Sequence, residues 1–305
     1  MSRITLSAHG YELAVNPDYG ANLTALSWRH PDGRLIDILR GCDDTALIPG
    51  EPSPVGCFPM APFANRIDGG NFSHAGRDYA LPINRPQDRC AIHGFSRFAP
   101  FEILSQREGT ISLLHRHRGD VFAYDLVQDI IIDARGLAVR LAVTNRGAVM
   151  PFGVGLHPYF PLEAGARLRF KAAQRSESDD RHLPLRFVST QTAPDLGGGI
   201  ALADVAGFDA HYSGWEPRLV ELERPGAGLS IRVGGEEAFS NLHLYVGPDR
   251  DFVCIEPVSH VPDAYNRSDL AQHGELATLG HGEVLAGTMR ISASGMSHSR
   301  RPPGH

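Results

Sequence analysis

The side chains that can do chemistry fall into five short stretches, each setting one ionisable group beside aromatic residues, glycine or proline. In FPMAPFANRI at 58–67, Asn65 and Arg66 follow an apolar, proline-rich run; Arg66 is open to a ligand role or to an ordinary ion pair. In AIHGF at 91–95, His93 is backed by Gly94, which allows close backbone approach. In GVGLHPYF at 153–160, Pro158 restrains His157 toward extended conformations, so the imidazole is held either for use or for packing. In GFDAH at 207–211, Asp209 is a site carboxylate or a turn former. In FVCIEP at 252–257, Glu256 closes an apolar strand that Pro257 is expected to end. An acid there is unusual, because buried glutamate is rare unless paired or functional.

A carboxylate and an imidazole suffice to open a hemiacetal. One removes the proton of the anomeric hydroxyl, the other protonates the ring oxygen, and both can be tuned toward neutral pH by burial and neighbours. Neither a metal nor an organic cofactor is required. A second histidine grouping, His115 and His117 on one strand face with His243 between two leucines, has the spacing of metal ligands. Arg116 and Arg118 flank the pair and no carboxylate motif accompanies it, so a solvated strand face is the preferred reading and no metal is expected. His211, His260 and His281 read as surface or rim residues. Tyr159, Trp215 and Tyr265 are candidates for stacking on a ring or for core packing.

The elements that must position these groups read as strands. Glycine (33) and proline (22) break the chain into short segments. Residues 136–144, GLAVRLAVT, alternate with period two, Leu137, Val139, Leu141 and Val143 facing one way. Further candidates are 11–15, 23–28, 35–39, 111–115, 122–132, 167–171, 219–222, 229–233, 242–246, 252–255 and 284–291. The only helical signal follows Ser268, a possible N-cap. So many strands imply an all-β, antiparallel sandwich of large sheets, one catalytic domain over 1–293 with a disordered tail over 294–305. The glycine run 197–199 reads as a turn, since no strand leads into it and no phosphate-loop lysine follows.

Bulk properties narrow the partner. A net charge of −6 and no long basic run argue against nucleic acid or an anionic membrane, and favour a small neutral ligand. No signal-peptide pattern and no long apolar run appear, and Cys42, Cys57, Cys90 and Cys254 lack metal or disulfide spacing. A cytoplasmic protein with reduced thiols is expected, as monomer or homodimer.

Asn65-Arg66, His93-Gly94, HPYF at 157–160, Phe208-Asp209 and EPVSHVPDAYN at 256–266 stand in an order that resembles the aldose 1-epimerase (galactose mutarotase-like) family over almost the whole chain. The resemblance implies a β-supersandwich with a monosaccharide in an open cleft across one sheet. It implies Glu256 as the base on the C1 hydroxyl, His157 as the acid on the ring oxygen, and His93 as a hydrogen-bonding partner near both. Arg66, Asn65 and Asp209 would hold sugar hydroxyls. Leu156, where the family commonly has Asn, and Val258, where it commonly has Gln, depart from the pattern beside the catalytic pair and leave the sugar open. A hexose-6-phosphate epimerase, with Arg66, Arg85, Arg89 and Arg97 near the early motifs, and a non-catalytic carbohydrate-binding protein are the alternatives; a glycoside hydrolase, which uses two carboxylates, fits poorly.

Overall fold

A computed structural model of the chain describes residues 3–43, 47, 55–192, 200–201, 207–247 and 251–296. Two antiparallel sheets dominate. The first, of eleven strands, runs in the order Ile4–Ala8, Tyr11–Asn16, Asn22–Arg29, Cys57–Met60, Gly155–Pro161, Phe252–Val258, Asn241–Val246, Asp209–Ser213, Gln174–Ser178, Pro184–Ser189, with Leu35–Leu39 paired off Asn22–Arg29. The second, of nine, runs Glu102–Arg107, Thr110–Arg118, Ala123–Asp133, Gly136–Asn145, Val284–Gly295, Leu229–Glu237, Leu219–Arg224, Arg167–Phe170, Ile200–Ala201.

Every strand expected from alternation is present. Alternate residues of each point into one continuous apolar core shared by both sheets: Val139, Leu141, Val143, Val233 and Ile291 from the second, Leu242, Leu244, Val253 and Ile255 from the first. That burial is the main source of stability, at about 25 cal/mol per Å² of apolar surface removed from water. Trp215, fully buried, belongs to this core and not to a sugar platform.

Three expectations need correction. Glu256 and Pro257 do not end their strand; it continues to Val258, with Pro257 opposite Leu242. Ser268 starts a short 3-10 helix, Ser268–His273, in which Arg267 is the cap residue and makes no side-chain cap bond. The last strand runs through Ser294 and Gly295, which pair with Ser230 and Leu229, because Leu229–Glu237 offers a ladder for them. Residues 297–305 and the glycine run 197–199 lie outside the described residues. No helix among the described residues is long and apolar enough to cross a membrane.

Candidate active site

Strand alternation that sends Ile255, Leu244 and Leu156 into the core sends Glu256, His243 and His157 to the opposite face of the first sheet. Pairing then aligns them. Phe58 is opposite His157, Glu256 opposite His243, and His243 opposite His211. Between Gly155–Pro161 and Phe252–Val258 the ladder is paired at Gly155/Val258 and again from Tyr159/Cys254, leaving three residues of each strand unpaired. Pro158 and Pro257 fall within this gap and have no N–H to donate. The register carried through the gap places His157 opposite Glu256. One row therefore crosses five strands as Phe58, His157, Glu256, His243, His211. A second row, two residues along, reads Tyr159, Cys254, Tyr245, Asp209.

Apart from His211 and Cys254, the residues of the two rows line a cleft of about 510 Å³, with Asn65, Arg66, Arg85, His93, Arg97 and His182 around it. The strand Arg66–Asp68 pairs with Cys90–Ile92, which brings the two early motifs together; the His93 N–H donates to the Asn65 carbonyl (3.0 Å), and the Asn65 N–H to His93 Nδ1 (3.2 Å). Asn65 and His93 have φ of 55° and 63°, a conformation that costs most side chains energy and marks a position fixed by its surroundings. Gly94 follows at φ 63°, where an added Cβ would lie 2.1 Å from the Ala61 carbonyl oxygen, so only glycine fits.

His157 Nε2 lies 3.2 Å from Glu256 Oε1, and both side chains are buried, Glu256 with 2% of its surface exposed. Burial raises the Glu256 carboxyl to about 8, with the Asp209 charge adding to the rise and His243 and Arg66 opposing it. Burial also lowers His157 well below the usual imidazole range, helped by the charges of Arg97 and His243. At neutral pH the pair thus holds one proton, on the carboxyl, and can pass it across the contact. Glu256 Oε2 is buried without a hydrogen-bond partner among the described residues, an acceptor that a ligand hydroxyl can satisfy. His157 stacks on Phe58 (4.5 Å) and Tyr159 (4.7 Å), which fixes its ring.

His93 stands edge-on to His157 at 5.2 Å. Burial lowers it well below the usual imidazole range, and a protonated His157 would lower it further; because Nδ1 accepts from Asn65, its proton resides on Nε2. Asp209 receives His243 Nε2 at 2.9 Å, His182 Nδ1 at 3.1 Å and Arg66 at 3.7 Å. Burial alone would raise the Asp209 carboxyl, but the His243 charge and hydrogen bond outweigh it, with Arg66 and His182 assisting, and bring it to about 2. His243 is lowered by burial yet raised on balance by Glu256 and Asp209. Arg66 donates from Nε to Asp88 (3.1 Å), so this arginine is both an ion-pair residue and a cleft residue.

All six expected site residues, His157, Glu256, His93, Arg66, Asn65 and Asp209, meet in the cleft. His243, His182 and Tyr245 were missed as parts of it, as was Asp88, which stands behind the lining as the partner of Arg66. His243 stood in view between two leucines, and period-two alternation alone would have put it on the face opposite them. The other two sequence histidines behave differently: His117 stacks between Phe95 (4.8 Å) and Tyr124 (5.0 Å), and His115 packs near Phe101. His211 and His260 are buried, not on the rim; His260 Nε2 accepts the Ala64 N–H at 3.0 Å and so fixes the loop before Asn65. Tyr265 is half-buried and packs against the core with its hydroxyl donating to the Pro151 carbonyl, and Asp263 receives the Asp68 N–H at 3.0 Å. The 262–266 stretch therefore braces the Arg66 strand and does not line the cleft. Leu156 points into the core and Val258 packs with Met60 and Ala64, so neither departure from the family pattern lines the cleft. His157, Cys254 and Glu256 offer atoms within 4.8 Å of one another, and burial, with an ionised Glu256 adding to it, pushes the Cys254 thiol well above its usual range.

Sequence and architecture each find relatives. Escherichia coli K12 YphB, itself uncharacterized, is 31% identical over 270 residues, covering 82% of this chain and 89% of its own. A crystal structure from Escherichia coli K12, provisionally assigned as an aldose 1-epimerase, superposes with a TM-score of 0.84 at 27% identity, covering 97% of this chain and 99% of that one. A galactose mutarotase-like protein from Clostridium acetobutylicum gives a TM-score of 0.84 at 20% identity, with 96% and 95% covered, and supports the fold. The sequence model described as aldose 1-epimerase matches residues 2–292, which span both sheets and every cleft residue, and the chain belongs to that family.

Proposed function

We propose that the protein is an aldose 1-epimerase that interconverts the α and β anomers of a monosaccharide by acid and base catalysis. The observation that carries this reading is the buried His157–Glu256 pair, in contact at 3.2 Å and sharing one proton on the floor of a sugar-sized cleft. Ring opening needs Glu256 as carboxylate and His157 as imidazolium, so the proton first crosses from Glu256 to His157. Glu256 then takes the proton of the C1 hydroxyl. The C1–O5 bond breaks with its electron pair going to O5, and His157 protonates that oxygen. The pair is left as carboxylic acid and neutral imidazole, its resting state. Rotation of the open-chain aldehyde about C1–C2 and closure on the other face run the same transfers in reverse, Glu256 protonating O1 and His157 taking the O5 proton.

His93 Nε2–H is placed to donate to an oxygen near the reacting centre, where negative charge develops. Arg66 and Asn65 are donors for sugar hydroxyls, and Asp209, held by His243, His182 and Arg66, is an acceptor. The free, buried state of Cys42, Cys57, Cys90 and Cys254 fits a reducing compartment, the cytoplasm.

The test is polarimetry on freshly dissolved α-anomers, with protein and with Glu256→Gln and His157→Asn. Accelerated mutarotation lost in both variants supports the assignment. Sugar binding without acceleration by the wild type would replace it with a binding role.

A further inference from the structure

Three arginines line the cleft, and two of them are compensated. Arg66 and Arg85 share the Asp88 carboxylate at 3.1 and 3.4 Å, and Arg66 also faces Asp209. Arg97 is half-buried in the cleft wall and has no carboxylate partner among the described residues. Its guanidinium lies over the rings of Phe58 (4.3 Å) and Phe98 (4.4 Å), aromatic faces that orient a cation without neutralising it. Its backbone is pinned as well. The Asn22 side chain donates to the Arg97 carbonyl at 3.1 Å, Ser96 Oγ donates to the Pro59 carbonyl at 3.0 Å, and a Cβ on Gly20 would lie 2.1 Å from the Arg97 carbonyl oxygen. The charge is therefore built into place, not left on a mobile surface chain.

A half-buried cation that meets no carboxylate among the described residues is a ready partner for an anion, since partly desolvated charges are ordinarily paired. The remaining anions of the cleft do not serve: Asp209 is saturated by His243, His182 and Arg66, and Glu256 faces His157. The Phe58 ring lies against both the Arg97 guanidinium (4.3 Å) and the His157 imidazole (4.5 Å), so one aromatic ring stands between the cation and the reacting centre.

Resting on the epimerase reading, we propose that Arg97 is a specificity residue that receives an anionic group on the aldose, with C1 at His157 and Glu256 and the negative charge at the far end of the ring. Guanidinium bonds carboxylate and phosphate oxygens in bidentate fashion, so the shared chemistry is an aldose bearing a fixed negative charge. Arg85, beside the same cleft, adds field strength without being free itself.

The experiment compares kcat/KM for anomerisation of galactose, glucose, galacturonate, glucuronate and glucose 6-phosphate, each corrected for its spontaneous rate, in wild type, Arg97→Met and Arg97→Lys. The expected result is a wild-type preference for anionic sugars, carried by KM and weakened by added salt. The anionic-to-neutral ratio should fall at least tenfold in Arg97→Met and partly recover in Arg97→Lys. The uronate and phosphate arms decide which anion is preferred. Equal kcat/KM for neutral and anionic sugars in the wild type, or an unchanged ratio in a folded Arg97→Met, overturns the proposal while leaving the epimerase intact. No acceleration of any of the five sugars would instead remove the epimerase reading itself.

Discussion

The two sheets are built from the same alternation and do opposite things with it. In the second sheet the ladders from Thr110–Arg118 through Gly136–Asn145 to Val284–Gly295 are continuous, and the residues facing away from the core pair across strands as exposed ions such as Arg140–Glu237 and Arg290–Glu236. In the first sheet that outer face is covered by the 58–98 segment and carries His157, Glu256, His243 and Asp209. The ladder opens at Pro158 and Pro257, where acid and base meet. A continuous ladder satisfies every backbone group and leaves side chains the task of staying solvated. An interrupted and covered one spends regularity on placing ionisable groups out of water, where their protonation is set by each other.

That contrast can be broken at several points. Glu256→Gln should have the largest effect, a loss of about 10²–10⁴ in kcat for anomerisation with binding retained, because the amide cannot exchange a proton; near-normal turnover would remove Glu256 from the mechanism. His243→Asn should act through the pair. His243, when protonated, holds the Glu256 carboxyl down and Asp209 pushes it up, so the substitution removes the first influence and unmasks the second. Activity is expected to fall as pH rises through about 8, where the pair loses its only proton and no acid remains, and in His243→Asn that alkaline limb should move to higher pH. A limb that stays in place or moves down would contradict the coupling.

Gly94→Ala should cost at least about 2 kcal/mol in denaturant unfolding, since its φ disfavours a side chain and the added methyl meets the Ala61 carbonyl. It should also lower kcat/KM by displacing His93. The smallest effect is expected in the regular sheet: Arg290→Gln should change stability by less than about 0.5 kcal/mol and leave anomerisation alone, as exposed ion pairs contribute little. A larger loss there would mean that the second sheet supports the site more directly than its ladders suggest.

The sequence made the strands legible because period two is a local property, visible in 136–144 or 242–246 without knowing any partner. It also made the site's members legible, because glutamate inside an apolar run and histidine before proline are conspicuous where they stand. The bracing role of His260 and Asp263 was not visible, since it depends on the Arg66 strand lying beside residues about 200 positions away. Leu156 looked like a substrate determinant by its neighbourhood in sequence; alternation had already turned it to the other face of the sheet.

By itself, then, the chain determined which residues face together along each strand and which of them are chemically able to act, since both follow from side-chain type and backbone periodicity. Only the tertiary structure decided which strands lie side by side, and with that the 3.2 Å contact of His157 with Glu256, the convergence of His243, His182 and Arg66 on Asp209 and, among the described residues, an Arg97 guanidinium that meets aromatic rings and no carboxylate. Those depend on cross-strand register and on burial, and both are set by the packing of segments distant in sequence.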